Sequence, residues 1–107
     1  MSVITPTELA RQLQSDTPPY LLDVRHPGEH EFVALPNSKL IPLPDLGERV
    51  DEIKDWMDRD VVVYCHHGIR SADAIGFLRA MGFRRLANLS GGIDRWSEEV
   101  QPEMPRY

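Results

Sequence analysis

The sequence predicts an α/β fold, with a mostly parallel central sheet of about five strands and helices on both faces. Short apolar runs such as "YLLDV" (20–24) and "DVVVYC" (60–65) lack the polar alternation of a sheet with one wet face, so they read as strands buried on both sides. Segments with apolar residues at helical spacing lie between them, and strands that alternate with helices imply a parallel sheet covered on both faces. At 107 residues the chain is long enough for one hydrophobic core and too short for two, so residues 1–107 are expected to form a single domain.

The elements follow in order. "TPTELARQLQ" (5–14) carries a helix start: Thr5 as N-cap, Pro6 at the first helical position and Glu8 completing a capping box. Leu9 and Leu13 supply its apolar stripe, and "SDTPPY" ends it. The strand at 20–24 comes next. "RHPGEHEF" (25–32) reads as a loop opening a short helical turn, and "SKLIPL" (38–43) as a further short strand closed by Pro42. From Asp45 to Trp56 the spacing of Leu46, Val50, Ile53 and Trp56 or Met57 predicts a helix with acidic residues on its other face. "DVVVYC" is the clearest strand in the chain. From Ser71 to Met81, Ala74, Ile75, Leu78 and Met81 share a helical face, and Gly82 is placed to end that helix. "RRLANL" (84–89) is the last strand, "SGG" a turn, and "IDRWSEEV" (93–100) a final short helix.

Composition narrows the function. With 41% hydrophobic and 27% charged residues, neither a disordered nor a membrane class is indicated. Uninterrupted apolar stretches are a few residues long, against about 20 for a membrane helix. "MSVITPTELARQ" has no basic start followed by an apolar run, so no secretory signal is expected. The net charge is −5 without a Lys/Arg cluster, so the footprint of a nucleic-acid binder is missing, and a small anion would have to be captured locally. A single cysteine allows no internal disulfide, which fits a reducing compartment, with the cytoplasm as the expected location.

That cysteine lies in "VVVYCHHGIRS" (61–71), directly after an apolar strand. In parallel α/β sheets the ligand site lies beyond the carboxyl ends of the strands. Val61 to Tyr64 therefore deliver Cys65 to the sheet edge instead of hiding it. If the next helix starts near Ser71, "HHGIR" is a tight loop whose N–H groups, with the helix N-terminus, face an anion, and Gly68 gives that loop its freedom to curl. A free thiol has a pKa of about 8.5, and values of roughly 3.5 to 7.5 occur at helix N-termini or beside cations. A fall of two units corresponds to about 2.7 kcal/mol and makes thiolate the main form at neutral pH. Arg70 can add a planar fork of donors for an oxyanion. The alternative is a small buried hydrophobe, but an inert thiol needs no polar, glycine-containing loop.

Three stretches, "LLDVRHPGEHEF", "VVVYCHHGIRS" and "LSGGIDRW", together and in this order resemble the rhodanese-like single-domain sulfurtransferases. The resemblance implies a rhodanese-like fold in which Cys65 is the nucleophile. Cys65 would take a sulfane sulfur from thiosulfate or a similar anionic donor, become a persulfide, and pass the sulfur to a thiophilic acceptor. That acceptor would be cyanide in the test tube and a thiol or protein in cells. The resemblance further implies that backbone N–H groups from His66, His67, Gly68, Ile69, Arg70 and Ser71 hold the terminal sulfur. Asp23 and Arg25 would form a structural pair near the site, although a solvated ion pair is the competing reading. Gly91, Gly92 and Trp96 read as turn and packing residues. No metal or organic cofactor is implied, and neither nucleic acid nor membrane is an expected partner.

Three rival readings compete with this one. Cysteine-dependent phosphatases and arsenate reductases of related fold space cysteine and arginine as Cys-x5-Arg, whereas four residues separate Cys65 from Arg70. The smaller loop suits a single sulfur. "HPGEH" (26–30) matches a His-x-x-Glu-His metallopeptidase order, but Pro27 and Gly28 argue against an interior helix. Adjacent Cys65 and His66 lack the usual zinc spacing, and His26 and His30 are expected at the surface. The third rival is a sulfur-carrier or interaction module without turnover. His66 and His67 either help to bind the donor anion when protonated or fill a solvent-facing loop.

Overall fold

The computed structural model describes residues 2–107. Its strands are β1 (Val3–Ile4), β2 (Tyr20–Asp23), β3 (Lys39–Leu40), β4 (Val61–Tyr64) and β5 (Leu86–Leu89). They form one sheet in the order β1-β5-β4-β2-β3, and each of these neighbouring pairs is parallel. The helices are α1 (Pro6–Leu13), α2 (Pro27–Phe32), α3 (Leu46–Arg49), α4 (Ile69–Ala80) and α5 (Gly92–Glu99).

Two apolar clusters flank the sheet. Val61 and Val63 of β4 join Leu46, Val50, Ile53, Ala74, Ile75 and Leu78, so α3 and α4 cover one face. Val62 and Tyr64 join Leu9, Leu21, Leu89, Ile93 and Trp96, so α1 and α5 cover the other. All four β4 side chains are 0–2% exposed, as a run without polar alternation requires. At about 1.5–3 kcal/mol for each fully buried aliphatic side chain, this packing outweighs what strands of two to four residues gain from their own ladders.

The capping box at the start of α1 forms as expected. The Thr5 hydroxyl accepts from the Glu8 N–H at 3.2 Å, and the Glu8 carboxylate accepts from the Thr5 N–H at 3.0 Å. Three expectations need correction, and one strand was not foreseen. The edge strand β1 is too short to carry a pattern, and only its pairing with β5 defines it. "SKLIPL" contributes just Lys39 and Leu40 to the sheet, although Ile41 is fully buried. The Asp45–Trp56 helix is a series of short turns: a 3-10 turn at Leu43–Asp45, then α3, then a 3-10 stretch over Val50–Trp56, with Ile53 outside helical geometry at φ −122°. Leu46, Val50 and Ile53 are nevertheless buried, and Trp56 stacks on Tyr20 at 4.6 Å, so tertiary packing sets this backbone against weak helix formers such as Gly47 and Asp51. Finally, α4 starts at Ile69, with Gly68 as its N-cap at φ +112°. Ile69 and Arg70 thus belong to the first helical turn, and the loop after Cys65 is only His66–Gly68.

Candidate active site

Strand alternation continues one residue past β4 and turns Cys65 into the cluster on the α4 side. Its side chain is 1% exposed, so it is buried under the loop and not open at the sheet edge as expected. It is buried with polar company. The Gly68 N–H donates to Sγ at 3.0 Å, Ser71 Oγ lies 3.4 Å away, and the N–H groups of His67 and Ser71 also face the sulfur. Burial pushes the thiol up, but these hydrogen bonds outweigh it and hold Cys65 below the ordinary thiol range. The left-handed backbone at Gly68 aims its N–H inward, a conformation that a Cβ would strain.

A polar side chain from β5 supports the loop from below. Asn88 Nδ2 donates to the Gly68 carbonyl at 3.0 Å, which fixes the amide so that Oδ1 accepts from the Ser71 hydroxyl at 2.6 Å. A hydroxyl has one proton. Ser71 gives it to Asn88 while the Cys65 S–H donates to Ser71, and to the sulfur once Cys65 ionises. The network serves both protonation states of Cys65.

Arg70 sits in the first turn of α4, where its fork was expected at the rim for an oxyanion. Instead it is bidentate on Glu29, with Nη1–Oε1 at 2.7 Å and Nη2–Oε2 at 3.0 Å. The Arg70 guanidinium holds the Glu29 carboxyl well below the usual range against partial burial, and Glu29 in turn raises Arg70. Glu29 also accepts from the Tyr107 hydroxyl at 2.7 Å.

Asp23 and Arg25 are both fully buried, which rules out the solvated-pair reading. Arg25 Nε and Nη2 meet the two Asp23 oxygens at 2.9 and 2.7 Å. The remaining Arg25 donors reach the Val33 carbonyl at 2.6 Å and the Tyr107 hydroxyl at 2.8 Å. Tyr64 also donates to Asp23, at 3.2 Å, and burial followed by the Asp23 charge pushes its phenol up to about 12. Arg25 therefore stays ionised in a buried site because each of its three guanidinium nitrogens has a hydrogen-bond partner.

The "HPGEH" stretch is no metal triad. Pro27 occupies the first position of α2, where its missing N–H costs nothing, so a helix forms there after all. His26 is exposed at the cap, His30 Nδ1 lies 2.8 Å from Asp23, and Glu29 faces Arg70. His30 is thus only partly at the surface.

On the opposite side of Cys65, α5 begins directly against the loop. The N–H groups of Ile93 and Asp94 donate to the carbonyls of Cys65 and His66 at 2.9 and 3.1 Å. The ring of His66 is sandwiched between His67 and Tyr107, each with its centroid 4.0 Å away. Burial, then the neighbouring His67, lowers His66 below the ordinary imidazole range. His67 is largely exposed, at 61%.

The structure thus gathers Cys65, His66, His67, Gly68, Arg70 and Ser71 at one sheet end, with Asp23 and Arg25 as the adjoining support. Ile69 belongs to the same turn, but its side chain points outward and is 77% exposed. Sequence reasoning missed Glu29, Asn88, Asp94 and Tyr107. Glu29 and Asp94 carried a signal, since each lies inside a motif quoted for other reasons, whereas Asn88 and Tyr107 carried none.

Residues 5–99 match the family model described as the rhodanese-like domain. The chain is 39% identical to a probable adenylyltransferase/sulfurtransferase, MoeZ, of Mycobacterium tuberculosis, over 99% of this chain and 27% of that protein. It is 35% identical to a sulfurtransferase of Allochromatium vinosum, over 88% of this chain and 86% of that protein. Its fold superposes on a crystal structure of a rhodanese-related protein from Thermoplasma volcanium with a TM-score of 0.83, at 33% identity and covering 95% of this chain and 96% of that one. The chain spans roughly a quarter of the length of several curated relatives it matches, 27% and 24% in two cases.

Proposed function

The chain belongs to the rhodanese-like domain family, and from that premise we propose that it transfers a sulfane sulfur through a persulfide on Cys65, residues 1–107 acting as a single such domain. The observation that carries the reading is the buried sulfur with the Gly68 N–H at 3.0 Å and the Ser71 hydroxyl in reach. In water the thiolate would be a minor form; here its charge is matched by donors fixed before it forms.

In the proposed cycle the Cys65 thiolate attacks the outer sulfur of thiosulfate. A new S–S bond forms, the S–S bond of thiosulfate breaks, and sulfite leaves with the electron pair. The persulfide anion would lie among the N–H groups of the loop. Cyanide in the test tube, or a thiol or protein acceptor in a reducing cytoplasm, then takes the terminal sulfur and returns the thiolate. Four residues between Cys65 and Arg70, with Arg70 closed on Glu29, favour a single sulfur over a tetrahedral oxyanion. A protein acceptor is supported by the apolar rim, where Ile69, Phe32 and Tyr107 are 77%, 54% and 45% exposed.

Incubation with thiosulfate followed by intact mass measurement tests this. One added sulfur is expected on the wild type and none on Cys65→Ser, and cyanide should release it as thiocyanate. No adduct, or equal turnover by the variant, overturns the proposal.

A further inference from the structure

The side chains of the two histidines after Cys65 have no role in that cycle, yet they are held in a defined place. Their Nε2 atoms both face the carboxylate of Asp94, in the first turn of α5: His66 Nε2 is 3.9 Å from Oδ1 and His67 Nε2 is 3.7 Å from Oδ2. Those separations are too long for hydrogen bonds. One ligand atom from each of the three residues, a ring nitrogen from each histidine and a carboxylate oxygen from Asp94, lies within 4.8 Å of the other two. His66 Nε2 is moreover the single buried side-chain nitrogen or oxygen among the described residues that has no hydrogen-bond partner. Buried polar atoms are normally satisfied, so this one calls for a partner that the side chains around it do not supply.

We propose that His66, His67 and Asp94 form a three-ligand site for a divalent transition ion of the zinc class. Two imidazoles and a carboxylate suit such an ion, whereas magnesium and calcium prefer oxygen alone. Ligand atoms about 2.0–2.2 Å from a tetrahedral ion lie about 3.4 Å apart. The His–Asp separations of 3.9 and 3.7 Å must therefore close by up to about half an ångström. The widest of the three separations, within 4.8 Å, must close by about an ångström, which a turn of the exposed His67 ring supplies. The support around the site is rigid. The Asp94 N–H is tied to the His66 carbonyl at 3.1 Å, and Gly92 lets α5 approach the loop where a Cβ would collide with that carbonyl. Arg106 donates to Asp94 Oδ1 at 2.8 Å, which orients the carboxylate as outer partners of metal ligands do and leaves Oδ2 for the ion. Three protein ligands leave a fourth position open. Because two of them directly follow Cys65, occupancy would hold the loop in place and slow access to the sulfur.

The test is calorimetric titration of the untagged chain with Zn2+ at neutral pH, on the wild type, Cys65→Ser, His67→Gln and Asp94→Asn, with Mg2+ as a control. One Zn2+ per chain is expected for wild type and Cys65→Ser, with no Mg2+ binding. Affinity should fall at least about tenfold in His67→Gln and in Asp94→Asn, since even outer partners of a ligand are worth that much. His67 is mostly exposed, so its variant keeps the question open if Asp94→Asn fails to fold. Zn2+ should also slow alkylation of Cys65 in the wild type and not in His67→Gln. Absence of binding, loss of binding in Cys65→Ser, or binding unchanged in both ligand variants overturns the proposal. The Cys65→Ser arm keeps this outcome separate from that of the sulfur-transfer reading.

Discussion

Gly92 lies so close beneath His66 that a Cβ at residue 92 would sit 2.3 Å from the His66 carbonyl oxygen and 2.6 Å from that of Cys65. Its φ of +64° adds backbone strain for any other residue. Gly92→Ala is therefore expected to cost at least about 2 kcal/mol and to lower the alkylation rate of Cys65 by displacing its loop. Gly28→Ala is the control, because a Cβ there meets nothing within 4 Å in a helix, and it should be neutral or slightly stabilising. Urea denaturation of both variants decides; equal losses would show that the close approach does not matter.

Ser71 is the sole side-chain hydroxyl bonded to the Cys65 sulfur among the described residues. Its loss removes a donor to the thiolate, and a hydrogen bond to a charged group is worth about 1.5–3 kcal/mol. Ser71→Ala should raise the inflection of the Cys65 alkylation rate against pH by about one unit or more. Stability should also fall by about 1–3 kcal/mol, because Asn88 Oδ1 loses its partner in a buried site. An inflection that stays put would assign the low thiol pKa to the backbone N–H groups alone.

The clamp of Arg70 on Glu29 makes folding sensitive to acid. The Glu29 carboxyl is held well below its unfolded value, so the pair stabilises the fold above that value, about 4.3, and loses this contribution as pH falls through the lowered one. Glu29→Gln should be less stable than wild type at pH 7 by about 1 kcal/mol after solvent screening, and the gap should narrow steadily below about pH 4. Thermal melts across that range measure the difference; a gap independent of pH contradicts the assignment.

Arg25 and Asp23 are a pair that is costly to break from one side. Both are fully buried, so Arg25→Met leaves an uncompensated carboxylate and should cost about 3–5 kcal/mol. Tyr107→Phe removes one acceptor from the same guanidinium, at 2.8 Å, and should cost about 1–3 kcal/mol. Both follow from the shift in denaturant midpoint at constant m-value. A Tyr107→Phe midpoint equal to wild type would show that water replaces the phenol.

The order of elements, the buried parallel sheet and the place of Cys65 at the end of β4 were legible because each rests on local signals: apolar runs without alternation, a capping box at Thr5 and a glycine after Cys65. The Asp45–Trp56 segment was legible only in part. Its apolar spacing correctly identified the buried side chains, but the stack of Trp56 on Tyr20 and other long-range packing bend a backbone whose own helix propensity is weak.

By itself, then, the sequence determined which residues stand near the sulfur, since strand alternation and a short loop fix positions within a few residues of Cys65. Tertiary structure alone decided what those residues face. Arg70 is turned from the expected anion to Glu29, 41 residues away; Ser71 shares its proton with Asn88 of β5; and the two histidines meet Asp94 because Gly92 lets α5 reach the loop. The physical reason is that a side chain's chemistry is set by its nearest charges and donors, and in this fold those arrive from strands and helices distant in the chain.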